Sequence, residues 1–436
     1  MEYNYDVLIV GTGAAGLHCA LNLDTNVKIL MVSKGAFNEN NTYLAQGGIS
    51  TARGIEDIEA FVSDTLKAGQ FENNIDSVNL LAKDSIDIIG HLRALGMNFD
   101  TNSNGKISYT KEGAHSINRI VHVKDQTGKF LWQTLMNDVK NKKNITLMDN
   151  TFFYDILQKD NCCYGGLLIK GNKNITVYSK CVVFATGGIG GIFKNSTNQP
   201  LLTGDAISIA LKNNITTSNL EYIQFHPTGL YDNNYYGRRF LISEALRGEG
   251  GKLLNENGQR FVNELSPRDV VTKAIMNEIS QSKLPYVFLD ISFLNKEYII
   301  KRFPNIYSKC ANIGIDISKD PMLVIPSQHY HMGGIKVNLN SQTSMERLYA
   351  IGETSCTGVH GKNRLASNSL LEALTFSKRA ALSINKKICT IPSKNISWKL
   401  KVENDIKNIK NKYKNTLIKA IQRRSPELND ELFNYR

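Results

Sequence analysis

The hydrophobic pattern of the chain opens with a short apolar run, Tyr5 to Val10, that stops at Gly11. A run of that length bounded by glycines reads as a strand. Gly11 to Gly16 follows as a turn, Leu17 to Leu23 as the start of a helix, and Val27 to Val32 as the next strand. An apolar strand running into glycines returns at Val182-Val183-Phe184-Ala185-Thr186-Gly187-Gly188, and a further strand spans Leu348 to Ile351. Near the far end the period changes. Trp398, Leu400, Ile406, Ile409, Tyr413, Leu417 and Ile421 recur at roughly three- or four-residue spacing with lysines between, which predicts one or two amphipathic helices. No apolar run reaches the ~18 residues that cross a bilayer. Met1-Glu2-Tyr3-Asn4 leads straight into the first strand rather than through a basic, then apolar, leader. The expectation is a cytoplasmic protein with no membrane partner.

The opening strand–turn–helix–strand unit gives its glycines a chemical task. Backbone N–H groups of the turn sit at a helix N-terminus, where unpaired donors and the helix dipole attract a pyrophosphate. Gly11 suits the tight turn, Gly13 the close approach of a phosphate, and Gly16 the packing of helix on strand, with Ala14 and Ala15 at the helix start. The spacing is a weak signal alone and a strong one between a strand and a helix at an N-terminus. Nicotinamide sites usually carry an acid about 20 positions on to hold the ribose hydroxyls. Here the second strand ends in Ser33-Lys34-Gly35, which weakens that reading.

Composition bounds the remaining options. A chain of 436 residues with 42% hydrophobic and 21% charged positions is an ordinary globular protein, long enough for two domains with large buried interfaces. The net charge of +12 raises the question of nucleic acid, but Lys386 to Arg436 holds 13 Lys/Arg against 5 Asp/Glu and accounts for +8 of it. A solvated basic helix face explains that tail; an RNA- or membrane-binding face is the alternative, and no nucleic-acid partner is expected. The seven cysteines, Cys162 and Cys163 among them, are odd in number and contain no C-x-x-C pair, so neither an iron–sulfur nor a zinc site is signalled.

Two late segments narrow the chemistry: Ile351-Gly352-Glu353-Thr354-Ser355 and His360-Gly361-Lys362-Asn363-Arg364-Leu365-Ala366-Ser367-Asn368-Ser369-Leu370-Leu371-Glu372. Read with the opening glycine motif, they resemble the flavoprotein family of succinate dehydrogenase, fumarate reductase and L-aspartate oxidase over about residues 5 to 380. The resemblance implies FAD. Thr42-Tyr43-Leu44-Ala45-Gln46-Gly47-Gly48 looks like the family's glycine-bearing loop along the isoalloxazine ring, and the Ser33-Lys34 ending looks like that of aspartate oxidases. Succinate dehydrogenases place a histidine, covalently joined to the flavin, directly before that threonine; Asn41 stands here, implying noncovalent FAD. Ala185, Thr186 and Gly187 resemble the segment where the chain returns to the flavin. Asp205, in Thr203-Gly204-Asp205, matches an aspartate beside the cofactor, although Asp is also favoured as a helix N-cap. Glu353 matches the glutamate that holds the adenosine ribose, and Ser369 and Leu370 match residues that approach the flavin pyrimidine.

The resemblance also implies a substrate site assembled from distant segments: Gln224-Phe225-His226-Pro227-Thr228, Ser243-Glu244-Ala245-Leu246-Arg247-Gly248, Ser266-Pro267-Arg268-Asp269, His329-Tyr330-His331 and Arg364. A small dicarboxylate has two planar anionic ends, which arginine forks and histidine or hydroxyl donors bind and neutralise. Arg364 and His329 are expected to clamp one carboxylate, His226 and Ser243 the other. Arg268 stands at the position that transfers the proton, with Glu244 and Arg247 as relay; the arginine's high reference pKa, above about 12, leaves a purely electrostatic role as the alternative. Glu112, in Lys111-Glu112-Gly113-Ala114-His115-Ser116, separates the family members. Succinate dehydrogenases carry no acid there, whereas in L-aspartate oxidases this glutamate faces the substrate's α-amino group and selects aspartate over succinate. An exposed loop acid is the plain alternative.

The expected architecture is an α/β protein: a Rossmann-like FAD-binding domain split between residues 1–236 and 332–390, an inserted α+β capping domain at 237–331, and a short helical tail at 391–436. By resemblance, L-aspartate would lose a hydride to FAD and a proton to the protein, giving iminosuccinate for quinolinate and NAD biosynthesis, with quinolinate synthase as metabolic neighbour. Oxygen (O2), yielding hydrogen peroxide, or fumarate would reoxidise the cofactor. A soluble fumarate reductase or succinate oxidase is the second reading. A silent FAD- or nucleic-acid-binding protein is the third. Full-length relatives carry a longer C-terminal helical domain, and its shortness here points to a free-standing oxidase rather than a respiratory subunit.

Overall fold

A computed structural model describes residues 1–232, 237–392, 405–426 and 428. Its central sheet is built by β1 (Glu2–Val10), β2 (Ile29–Val32), β3 (Ile145–Met148), β4 (Thr151–Lys159), β5 (Cys162–Lys170) and β6 (Lys173–Phe184), in the order β3-β2-β1-β6-β5-β4. β1 runs parallel to β2 and β6, and β2 parallel to β3, while β5 and β4 extend the sheet antiparallel. Successive side chains of a strand point to opposite faces. Val7, Ile9, Met31 and Val183 therefore enter one core and Leu8, Val10, Leu30, Val32 and Phe184 another, which explains why these strands read as unbroken apolar runs. Helix α1 (Ala14–Asn22) packs on the first face, a single turn α2 (Asn41–Leu44) follows β2, and α3 (Asp205–Lys212) lies on the second face.

A second, four-stranded antiparallel sheet is formed by β7 (Ile223–Leu230), β8 (Lys252–Leu254), β9 (Val287–Asp290) and β10 (Met322–His331), ordered β7-β10-β9-β8. It has its own apolar core, Leu246, Val271, Ile275, Leu289, Phe303 and Val324 among others, partly supplied by α4 (Arg268–Gln281). Because β7 pairs with β10, this sheet takes its first strand from before residue 237. The chain then returns to the first sheet: β11 (Leu348–Ala350) lies parallel to β6, with Leu348 opposite Val182. The long helix α5 (Asn368–Ile388) closes over α1.

The helical periodicity of the tail appears as α6 (Ile406–Gln422); Trp398 and Leu400 lie outside the described residues. Its apolar face is covered. Ile409, Tyr413, Leu417 and Ile421 enter the second core against α3, and the Ser208 hydroxyl donates to the Tyr413 carbonyl at 2.9 Å. Lys407, Lys412 and Lys419 stay exposed. Among the described residues no helix is long and apolar enough to cross a membrane.

Candidate active site

The turn after β1 is shaped by contacts no side chain would allow. Gly11 has φ +118°, and a Cβ there would sit 2.0 Å from the Ala185 carbonyl oxygen. A Cβ on Gly16 would sit 2.1 Å from the Gly11 oxygen. These two glycines therefore weld turn, helix and β6 together, whereas a Cβ on Gly13 would meet only the Thr42 hydroxyl, at 3.3 Å. The turn opens onto a cavity of ≈ 390 Å³. Gly11, Gly13, Ala14, Ala15, Ser33, Lys34, Asn41, Thr42, Ala45, Gln46, Ala185, Thr186, Gly187, Asp205, Glu353, Ser369 and Leu370 all line it, and so does His329. Three expected residues do not: Gly16 is consumed by packing, a Cβ on Gly47 would meet Glu112, and Gly48 lies against Ile120 and Val121.

The cavity walls suit a dinucleotide. The N-terminus of α1 points N–H donors at the turn, as a pyrophosphate requires. Gln46 Oε1 and Asn198 Oδ1 are buried without a hydrogen-bond partner among the described residues, and both side chains belong to the lining. Unpaired buried polar atoms are costly, and a ligand with ring N–H or hydroxyl donors would satisfy these two acceptors. Lys34 Nζ reaches Asp205 Oδ2 at 2.6 Å and Thr203 Oγ1 at 2.9 Å. Asp205 thus begins α3 rather than capping it, its carboxylate held by Lys34 and Thr203.

Strand order decides which end is which. Ser33 and Lys34 follow β2, on one side of the glycine turn; Glu353 follows β11, on the far side of β6. In this class of fold the end of the second strand faces the adenosine ribose. Glu353 stands at the opposite end, near Asn41 and Arg364, with Oε1 accepting the His331 N–H at 3.0 Å. Glu353 is thus separated by β1 and β6 from the end of β2, where Ser33 and Lys34 stand.

Burial pushes the Glu353 carboxyl up to about 7 from its ordinary 4.5, with the His331 N–H and Arg364 opposing. Its folded pKa lies above the unfolded one, so between pH 4.5 and about 7 the unfolded chain ionises first and stability falls as pH rises. Glu353→Gln is therefore expected to melt several degrees higher than wild type as FAD-free protein at pH 8, with the gain vanishing near pH 4.5, and to bind FAD more weakly. Thermal melts at the two pH values, with fluorimetric FAD titration, check both.

Beyond His329 the cavity adjoins a buried polar cluster. Arg268, the first residue of α4, donates from Nε to Glu244 Oε2 at 2.6 Å and from Nη1 to Gln224 Oε1 at 2.9 Å. Arg247 Nη2 lies 3.3 Å from the same Glu244 oxygen, and the Gly113 N–H donates to Glu244 Oε1 at 2.9 Å. Burial would raise the Glu244 carboxyl, but Arg268 and Arg247 outweigh it and hold it below the usual range. Gln224 also donates to the Arg364 carbonyl at 2.8 Å, tying the segments of Arg268 and Arg364 together. Only its motif marked Gln224 in the sequence. His226 and His329 meet edge to face with ring centres 5.0 Å apart. Burial, then Arg268, drives both imidazoles well below their ordinary pKa, so both are neutral. The Thr228 N–H donates to His226 Nδ1 at 3.2 Å, which leaves the proton on Nε2 as a donor. The Ser243 hydroxyl accepts the Ala245 N–H at 3.2 Å.

Glu112 is buried, not an exposed loop acid. Its Oε2 accepts the Ser367 hydroxyl at 2.6 Å, and glycine at position 47 leaves room for Oε1. Burial, then Glu244, raises its pKa, against Ser367, Arg268 and Arg364. Left-handed backbone at Ala114 (φ 65°) and Ser367 (φ 63°) flanks this contact, a strain of ~1–3 kcal/mol each that the surroundings must hold. What holds the loop is Arg119, fully buried, its guanidinium bridging Asp57 at 2.8 Å and Asp64, with Ser116 also on Asp64. Arg119→Met would strand two buried carboxylates, and a loss of about 3–5 kcal/mol in urea-unfolding stability is expected.

Fold and cleft together define an FAD-binding flavoprotein, and residues 6–370 match the family described as FAD binding domain. Within that class the chain belongs to the L-aspartate oxidase family. It is 56% identical over 383 residues to the L-aspartate oxidase of Clostridium perfringens, covering 88% of this chain and 87% of that one. To the L-aspartate oxidase of Clostridium acetobutylicum it is 54% identical over 391 residues, covering 90% of each. Among solved structures it resembles a mutant FrdA chain of E. coli quinol fumarate reductase, with TM-score 0.85 and 28% identity, covering 99% of this chain and 75% of that one.

Proposed function

We propose that this protein oxidises L-aspartate to iminosuccinate with noncovalent FAD, as a step toward quinolinate and NAD, and is reoxidised by oxygen or fumarate. One observation carries the reading: Glu112 is buried inside an otherwise cationic site. Arg268, Arg247 and Arg364 face Glu112 and Glu244, leaving one net positive charge between neutral histidines. L-Aspartate, with two carboxylates and one ammonium, neutralises it. Succinate carries a second net negative charge and matches only with Glu112 protonated, so the ionisation state of Glu112 discriminates between the two.

Residues along the cavity would hold FAD with its pyrophosphate at Gly11 to Ala15, its adenosine toward Lys34 and Asp205, and its flavin toward Gln46, Glu353, Ser369 and Leu370. Bound FAD supplies the acceptor for two electrons and the Cα hydrogen as hydride. Arg364 and His329 bind one carboxylate. His226, through Nε2–H, and Ser243 bind the other. Glu112, as the carboxylate, receives the α-ammonium, whose charge offsets the burial and the Glu244 repulsion that raise its pKa. Arg268, fixed by Glu244 and Gln224, gives its Nε proton to Glu244 as it takes up the released one, so the guanidinium ends as a cation, and Glu244 and Arg247 pass the proton outward. Incubation with L-aspartate in air is expected to form hydrogen peroxide and oxaloacetate plus ammonia, from hydrolysis of iminosuccinate, in equal amounts. Absence of both products with FAD bound would overturn the proposal.

A further inference from the structure

Arg364 is held differently from its neighbours. Arg268 and Arg247 each meet the Glu244 carboxylate. Arg364 has no carboxylate at salt-bridge distance among the described residues; Nη1 donates to Ser369 Oγ at 2.9 Å, and buried Nε has no hydrogen-bond partner. Against its guanidinium lies instead the Tyr330 ring, with the centroid 4.7 Å from Cζ. On the far side of that ring the Tyr330 hydroxyl donates to Glu372 Oε2 at 2.7 Å. His360 Nε2 reaches the same oxygen at 3.0 Å, and the Thr357 hydroxyl donates to Oε1. Glu372, Tyr330, His360 and Thr357 are all buried. Burial would raise the Glu372 carboxyl, but His360, Thr357 and Tyr330 together hold it below the usual range, so it is an anion at neutral pH.

We propose that Glu372 is a positioning residue for the substrate dicarboxylate, acting through Tyr330 to hold Arg364 in place as a cation whose Nε donor remains free. The inference rests on Arg364 as a carboxylate clamp. A carboxylate touching Arg364 directly would neutralise it and compete with the substrate; no anchor at all would leave a desolvated cation loose. An aromatic face attracts the guanidinium without occupying its N–H groups. A phenol that donates to an anion gains electron density in its ring, which deepens that attraction. Glu372 thus stabilises Arg364 from one ring's distance, and the free Nε is the atom such an arrangement offers to a ligand.

The test is malonate binding, by calorimetry on FAD-loaded protein, because malonate has two carboxylates and no adjacent carbon pair to oxidise. Wild type is compared with Glu372→Gln, Tyr330→Phe and the double variant. Each single change is expected to weaken malonate about tenfold, and the double change no further than about tenfold, because both act along one path. KM for aspartate should rise in step while kcat changes less than about threefold. Tyr330→Phe keeps the ring and the cluster's packing, so its loss of affinity tests the inference even if Glu372→Gln does not fold. Wild-type malonate affinity in Tyr330→Phe, additive losses in the double variant, or a fall in kcat at unchanged KM would overturn the inference alone. Wild-type protein that neither binds malonate nor is reduced by aspartate would overturn the site reading beneath it.

Discussion

Arg268→Gln is expected to lower kcat for aspartate roughly 10³-fold while leaving KM and FAD content close to wild type. Arg268 is buried, and its contacts to Glu244 and Gln224 fix the guanidinium rather than neutralise a surface charge. Glutamine removes both the proton relay to Glu244 and a positive charge at the reacting centre, but not the clamp formed by Arg364, His329, His226 and Ser243. The loss therefore belongs to the transition state and not to binding, which rapid-mixing measurement of flavin reduction at saturating aspartate reads directly. A fall of less than about tenfold would restrict Arg268 to electrostatic support. The Glu244 contact makes proton transfer workable: an arginine beside a buried carboxylate can pass a proton on without staying neutral for long.

Glu112→Gln is expected to cost aspartate turnover about 10²-fold in kcat/KM, because it leaves a buried ammonium without its counter-charge. Fumarate, with no ammonium, gains from losing a repulsive carboxylate, so fumarate reduction by the reduced enzyme should change less than about threefold or improve. The two rates measured on the same preparation give an internal control for folding and FAD content. Equal damage to both would make Glu112 a structural residue of its loop, the role already filled by Arg119 with Asp57 and Asp64.

The first sheet was legible because its evidence is local: Val7 to Gly16 contains a strand, a turn that only glycine fits, and a helix start within ten residues. The tail periodicity was legible for the same reason, but not what covers its apolar face, since α3 lies some two hundred positions earlier. Motifs identified Glu112, Glu244, Arg268 and Arg364 one by one. Their wiring was not readable, because Gln224, the residue joining Arg268 to Arg364, carries no distinguishing pattern of its own. The position of Glu353 relative to Ser33 and Lys34 was not readable either, because it depends on strand order, with β6 standing between β1 and β11, and sequence spacing does not encode it. The Tyr330–Glu372 contact joins β10 to α5 and has no sequence signature either.

The central claim is that the buried acid makes this a site for aspartate. Anaerobic mixing of the FAD-loaded protein with L-aspartate, and separately with succinate, tests it most directly through the visible flavin absorbance. Bleaching by aspartate and not by succinate, with hydrogen peroxide formed when air is readmitted, is the predicted result. Bleaching by succinate alone, or by neither with FAD bound, would contradict it.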